Sequence, residues 1–172
     1  MQRLLLAALM LCMGLLPLSA KAQLAVGMRE RGEHEFEHKI RACGWYVCKV
    51  VYSPGGFVHD YERAAKLVKR RKIFIIIAGP CLSACAIFAD LIRPRVCITD
   101  HALFGFHRVR FSLASRRTHR IVYVEIPKAG DPRGEQRQSK AVLAWVRQHG
   151  GFPVNGMTKM HAQVARRFWP HC

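Results

Sequence analysis

Ser83 and His107 are residues whose types and order along the chain could do chemistry together. A serine hydroxyl becomes a useful nucleophile only when a base takes its proton, and imidazole is the commonest base. Ser83 follows Gly79-Pro80-Cys81-Leu82 and precedes Ala84-Cys85-Ala86, so small residues leave room around the hydroxyl. At a helix start the Ala84 N–H has no partner within the helix and points where a developing oxyanion would sit. Gly55-Gly56, closing the run Ser53-Pro54-Gly55-Gly56, offers a second backbone donor from a turn in which positive φ is cheap. Each of these residues also has a plainer role. Serine is a common N-cap, and paired glycines often make only a tight turn. His107, between Phe106 and Arg108, could be a hydrogen-bonded core histidine. His101 is a rival base, but beside Asp100 it reads as a solvated turn residue.

The elements around these residues follow from composition and periodicity. Phe36 to Ala42 reads as a short helix ended by Gly44, and Trp45 to Tyr52 (WYVCKVVY) as a strand. Phe57 to Arg71 has helical apolar spacing with a Lys/Arg-rich outer face. Ile73 to Ala78 (IFIIIA) is an uninterrupted β-branched run, expected to be a strand buried on both faces. Gly79-Pro80 stops it, Ser83 to Ile92 is expected as a helix, and Arg95 to Thr99 and Ala102 to Val109 as strands. Farther on, Ile121 to Ile126 reads as a short strand, Pro127 to Gly134 as a loop, Glu135 to His149 as a helix, and Met157 to Phe168 as a last helix. No internal repeat is visible. Strands alternating with helices predict an α/β fold built on right-handed βαβ units, with the hydroxyl at the carboxyl edge of a parallel sheet where such folds bind ligands.

The order Ser-Pro-Gly-Gly, helix, buried strand, Gly-x-Cys-x-Ser-Ala-Cys, helix, strand, His resembles the Clp protease proteolytic subunit and its periplasmic relatives in the ClpP/crotonase superfamily. The separations of 27 residues from Gly56 to Ser83 and 24 from Ser83 to His107 are close to that family's spacing, and the likeness covers residues 45–110. The resemblance implies a ClpP/crotonase-like βαβ spiral core. It puts Ser83 on the nucleophile, His107 on the general base, and Gly56 and Ala84 on the two oxyanion-hole donors. It implies acyl transfer on a peptide or other acyl substrate, no cofactor and no metal, and a homo-oligomer, since relatives assemble as rings or trimers. An acyl-CoA-processing crotonase is the weaker version, because CoA is not expected outside the cytoplasm. A catalytically degenerate ClpP-like binding protein of the cell envelope is the alternative from a different class. The family completes a triad with an Asp near the start of a late helix. The matching stretch here, Met157 to His161, has no acid, and Glu125 and Asp131 are the nearest acids in sequence. The family's substrate-positioning hairpin and handle helix cannot be aligned.

Compartment and charge frame this chemistry. Residues 1–22 read as a signal peptide: Arg3, an apolar run from Leu4 to Leu16, Pro17, then Ala20-Lys21-Ala22. The run is short for a spanning helix, which needs about 20 residues, so cleavage is expected over an uncleaved membrane anchor. Residues 23–172 would then be one domain, periplasmic or secreted. Six cysteines remain, Cys43, Cys48, Cys81, Cys85, Cys97 and Cys172, and an oxidising compartment favours disulfides whose pairing the sequence leaves open. For Cys81 and Cys85, which flank Ser83, a disulfide with each other or with Cys97 or Cys48 competes with two other readings. One is a zinc site with His101 or His107, and the other is a Cys85 nucleophile. The whole chain carries a formal net charge of +17, and the part after residue 22 keeps 26 basic residues against 11 acidic, a net +15. Such a balance favours an anionic envelope surface as partner. Nucleic acid is not expected, because export argues against it and no recognition-helix pattern is present. The basic segment 108–120 reads either as a solvated face or as a dock on such a surface.

Overall fold

The strands among the described residues form three small sheets. The computed structural model describes residues 35–43, 46–109, 111–114, 121–124 and 137–172, with the backbone alone at 111–114 and 121–124. Phe36–Cys172 form one compact unit. The first sheet is parallel, with β1 (Val47–Val50), β2 (Phe74–Ile77) and β4 (Val96–Ile98) side by side in that order. In the second sheet β3 (Pro80–Leu82) runs parallel to β5 (Leu103–Phe106), and β8 (Thr158–His161) runs antiparallel to β5. Ser53 extends the second sheet by a parallel bridge to Cys81: its N–H donates to the Pro80 carbonyl at 2.8 Å, and its own carbonyl accepts from Leu82 N–H at 2.9 Å.

The topology therefore repeats. Three times in succession the chain lays a strand in the first sheet and then an extended piece in the second: Val47–Val50 with Ser53, Phe74–Ile77 with Pro80–Leu82, Val96–Ile98 with Leu103–Phe106. Helix α2 (Val58–Arg71) follows the first pass and α3 (Ala84–Leu91) the second. After the third pass comes an antiparallel pair, β6 (Phe111–Ala114) with β7 (Ile121–Val124). The switch between sheets needs Gly79, because a Cβ there would stand 2.0 Å from the Val51 carbonyl oxygen.

Alternation decides which face of the first sheet is covered. Ile75, Ile77, Val96 and Ile98 are fully buried, and α2 and α3 pack against each other above them through Ala64, Ala65, Leu67, Ala86, Phe88 and Ala89. Helix α1 (Glu35–Ala42) begins where the buried Asp60 carboxylate accepts Phe36 N–H at 3.0 Å and Glu37 N–H at 3.4 Å. Its Phe36 ring stacks on Tyr61 with centroids 4.0 Å apart and meets Phe88 edge-on. Helix α4 (Lys140–Gln148) is held at its start by Asp90, whose buried carboxylate accepts from both Ser139 N–H and Oγ–H and pairs with Arg93. At the other end of the chain Trp169 stacks on Phe104 at 4.3 Å and donates its indole N–H to the Ala89 carbonyl at 3.2 Å.

The mixed α/β expectation holds, with four revisions. The expected last helix over Met157 to Phe168 is first a strand, because Thr158 and Met160 point inward while Lys159 and His161 face solvent; the helix that follows, α5, is only Ala162–Ala165. Pro80–Leu82 is a strand where a breaker was expected, since Ser53 and β5 accept it as a parallel partner. The expected strand Ala102 to Val109 narrows to Leu103–Phe106, so His107 lies just past its end rather than within it. The helix expected from Glu135 begins at Lys140 among the described residues, where Asp90 caps it. The expected signal peptide, the loop 127–134, Glu125, Asp131 and residues 115–120 of the basic segment lie outside the described residues. Among the described residues no helix is long and apolar enough to cross a membrane.

Candidate active site

The two strands that carry the candidate residues end together. In the parallel register Leu82 lies opposite Gly105, so Ser83 and His107 step off adjacent strands at the same edge. There His107 Nε2 lies 2.7 Å from Ser83 Oγ, within hydrogen-bond reach for proton transfer. Both side chains are partly buried.

The Ser83 backbone explains how the hydroxyl reaches that position. Its φ of 55° and ψ of −121° are sparsely populated for a residue with a Cβ. The turn is fixed on both sides: Ser83 N–H donates to the Gly105 carbonyl at 2.7 Å, and its carbonyl accepts from Ala86 N–H at 2.9 Å. Ser83 occupies the N-cap position of α3, yet its side chain caps nothing. The plainer reading of Ser83 as an N-cap is thus right about position and wrong about the hydroxyl, which faces the imidazole. Ala84, the first residue of α3, has an N–H with no acceptor within the helix.

Gly55 lies against this elbow. Its φ is +90°, and a Cβ there would stand 2.6 Å from Ser83 Cβ, 2.7 Å from the Leu82 carbonyl oxygen and 3.2 Å from Ala84 N. The peptide joining Gly55 to Gly56 therefore runs beside Ser83 and Ala84. Sequence reasoning gave a role to Gly56 and treated Gly55 only as part of the turn, although Gly55 makes the close approach. It missed Gly105 altogether. A Cβ on Gly105 would meet Leu82 Cδ2 and Met157 Sδ at 2.7 Å each, and its carbonyl anchors Ser83. The signal was a single glycine inside an apolar strand pattern, which marks close approach of another element.

Three cysteine pairs are at disulfide distance: Cys43–Cys48, Cys81–Cys85 and Cys97–Cys172. The Cys81–Cys85 bond spans Ser83, tying the end of β3 to the first turn of α3, and both sulfurs are fully buried. This bond leaves neither thiol for the zinc or cysteine-nucleophile readings. Three disulfides suit an oxidising compartment. His101 is exposed in the turn before β5, and His107 is the imidazole that meets Ser83. The acids Glu37, Asp60, Glu62, Asp90 and Asp100 each pair with other groups, namely Arg41 and Arg63, the start of α1, Arg137, Arg93 with Ser139, and Arg166 with His171.

A scan against protein-family models matches none, and a search of curated proteins returns no match.

Proposed function

We propose that this protein is an exported serine hydrolase of the ClpP/crotonase type, acting on a peptide or other acyl substrate through Ser83 and His107. The observation that carries the proposal is the 2.7 Å contact between Ser83 Oγ and His107 Nε2 at a residue whose strained backbone serves no capping purpose. The three passes from the first sheet to the second, the first two each followed by a helix, with Gly55-Gly56 beside the elbow, support a spiral core of that superfamily.

The reaction follows from the geometry. Ser83 Oγ attacks the substrate carbonyl carbon while His107 Nε2 takes the hydroxyl proton. The carbonyl oxygen becomes an oxyanion and receives hydrogen bonds from Ala84 N–H and Gly56 N–H, each such donor being worth about 10²–10³ in rate. The imidazolium returns its proton to the leaving group as the carbon–heteroatom bond breaks. Water then attacks the acyl-Ser83 ester, His107 takes its proton, and the acid product leaves with Ser83 restored.

Export rests on the leader-like residues 1–22 together with the three disulfides. The test is labelling of the oxidised protein by a fluorophosphonate, which reacts with activated serines. Covalent labelling that vanishes in Ser83→Ala supports the hydrolase. Folded, oxidised protein that takes no label sinks it and leaves the binding-protein alternative.

A further inference from the structure

The end of the first sheet away from Ser83 carries an unusual combination of side chains. Val47 and Phe74 are the first residues of β1 and β2 and are register partners, so their side chains share a face. The opposite face, with Cys48 and Ile75, is core. Val47 is 52% exposed and Phe74 37%, and Tyr46, whose carbonyl accepts Phe74 N–H at 2.7 Å, is 82% exposed. Large apolar groups left that exposed forgo much of the stabilisation that full burial would give.

The same end of the sheet carries cations. Helix α2 ends in Lys69, Arg70 and Arg71, and Lys72, in the left-handed conformation with φ 58°, turns the chain directly into β2. Lys69, Arg70 and Lys72 are exposed and lie within five residues of Phe74. No acid occurs from residue 38 to 59 or from 61 to 89 except Glu62, at the far end of α2. This end of the sheet therefore joins exposed Tyr46, Val47 and Phe74 to the exposed cations of the α2–β2 junction. Aromatic and aliphatic groups enter the headgroup boundary of a bilayer while basic residues meet its phosphates.

We propose that Tyr46, Val47 and Phe74, flanked by Lys69, Arg70 and Lys72, form a docking surface for an anionic phospholipid bilayer. A second copy of the chain is a poorer occupant, because the patch would face its own positive charge on a molecule of net charge +17. A nucleic-acid duplex is a poorer occupant, because contacts along its phosphate backbone make no use of exposed Val47 and Phe74. Val47 and Phe74 open their strands, whereas Ser83 and His107 follow the last residues of β3 and β5. Docking at the strand starts leaves the strand ends free for substrate. The proposal does not depend on Ser83 being catalytic.

The test uses the exported, disulfide-bonded protein, with its amino terminus established by mass spectrometry, in co-sedimentation with vesicles. Binding is expected to vesicles of phosphatidylcholine with phosphatidylglycerol, not to phosphatidylcholine alone, and to weaken steeply as salt rises. The variant K69Q/R70Q/K72Q is expected to lose affinity by about 100-fold, and Y46S/F74S to lose it at unchanged charge. K140Q/K159Q/R167Q removes three exposed cations elsewhere and should bind nearly as the parent does. Equal losses in the two charge variants would overturn the proposal, since net charge alone would then explain the attraction. Binding that ignores salt and lipid charge, tighter binding to a DNA duplex at the same salt, or a dimer that Y46S/F74S dissolves would overturn it as well. Far-UV circular dichroism of each variant confirms that it is folded.

Discussion

Ser83 adopts a backbone conformation that costs energy and that a serine N-cap does not require. Residues in such regions cost about 1–3 kcal/mol and persist only where their surroundings hold them. Here the holding groups are the Gly105 carbonyl, the Ala86 N–H and the close face of Gly55. Replacing Ser83 by Ala is expected to abolish fluorophosphonate labelling while leaving the circular dichroism spectrum unchanged. His107→Ala should slow labelling by about 10²–10⁴-fold, the usual worth of a positioned base. Gly55→Ala tests the close approach. It combines positive φ with a 2.6 Å clash against Ser83 Cβ, whereas Gly151→Ala, at φ +66° with nothing within 4 Å, meets only the backbone penalty. Urea titration should find Gly55→Ala the more destabilised of the two, and only Gly55→Ala should lose labelling. At this scale the sequence was informative. The resemblance of the glycine, serine and histidine motifs to the ClpP/crotonase pattern named the pair, and the parallel register of β3 and β5 brings the two to one edge. It could not reveal that Gly55 rather than Gly56 touches Ser83, since that depends on which φ each glycine takes.

The elbow is a junction of β3 and α3, and the Cys81–Cys85 bond spans it. Two of the disulfides divide stability and geometry between them. In the chain-entropy model a loop as short as that between Cys81 and Cys85 contributes about 2 kcal/mol, and one of the length between Cys97 and Cys172 about 4.5 kcal/mol. The sequence separations are 4 and 75. Converting Cys97 and Cys172 to Ala is therefore expected to lower the unfolding midpoint more. Converting Cys81 and Cys85 to Ala should slow labelling more at temperatures where both variants stay folded. The reverse order in the labelling rates would show that the elbow holds without its staple. Helices α3 and α4 are joined in another way. Asp90 is buried, pairs with Arg93 and accepts from Ser139, while Arg93 Nε and Gln138 Oε1 nearby already have no hydrogen-bond partner. Asp90→Ala would take the acceptor from Ser139 N–H and the ion-pair partner from Arg93, whose side chain is 30% exposed, and a loss of about 1–3 kcal/mol in thermal or urea unfolding is expected. Helix α2 was legible from its apolar spacing and β2 from its unbroken β-branched run. Thr158–His161 was not. Its four residues fit a helical pattern with Val164 and Phe168, and only the antiparallel partner β5 makes the alternate pattern win.

At the scale of the molecule, charge and topology act together. The cations at the end of α2 and the exposed Tyr46, Val47 and Phe74 gather at one end of the first sheet, and Ser83 and His107 gather where strands of the second sheet finish. A parallel sheet separates the beginnings of its strands from their ends, so two surfaces of different chemistry can coexist on a small chain.

Its resemblance to the ClpP/crotonase pattern named Ser83 and His107, and by itself the sequence determined the α/β character, the even set of cysteines after residue 22 and the basic excess. These are properties of composition, period and offset along the chain, and they survive without knowledge of distant contacts. The tertiary structure decided the rest: the division of the strands among sheets, the repeated passage from the first sheet to the second, the partners of the six cysteines, and the exposure of Val47 and Phe74 on one face. The second strand of each pass is only one to four residues long. A segment that short carries no readable period, and it becomes a strand only because a neighbour in space supplies its hydrogen bonds.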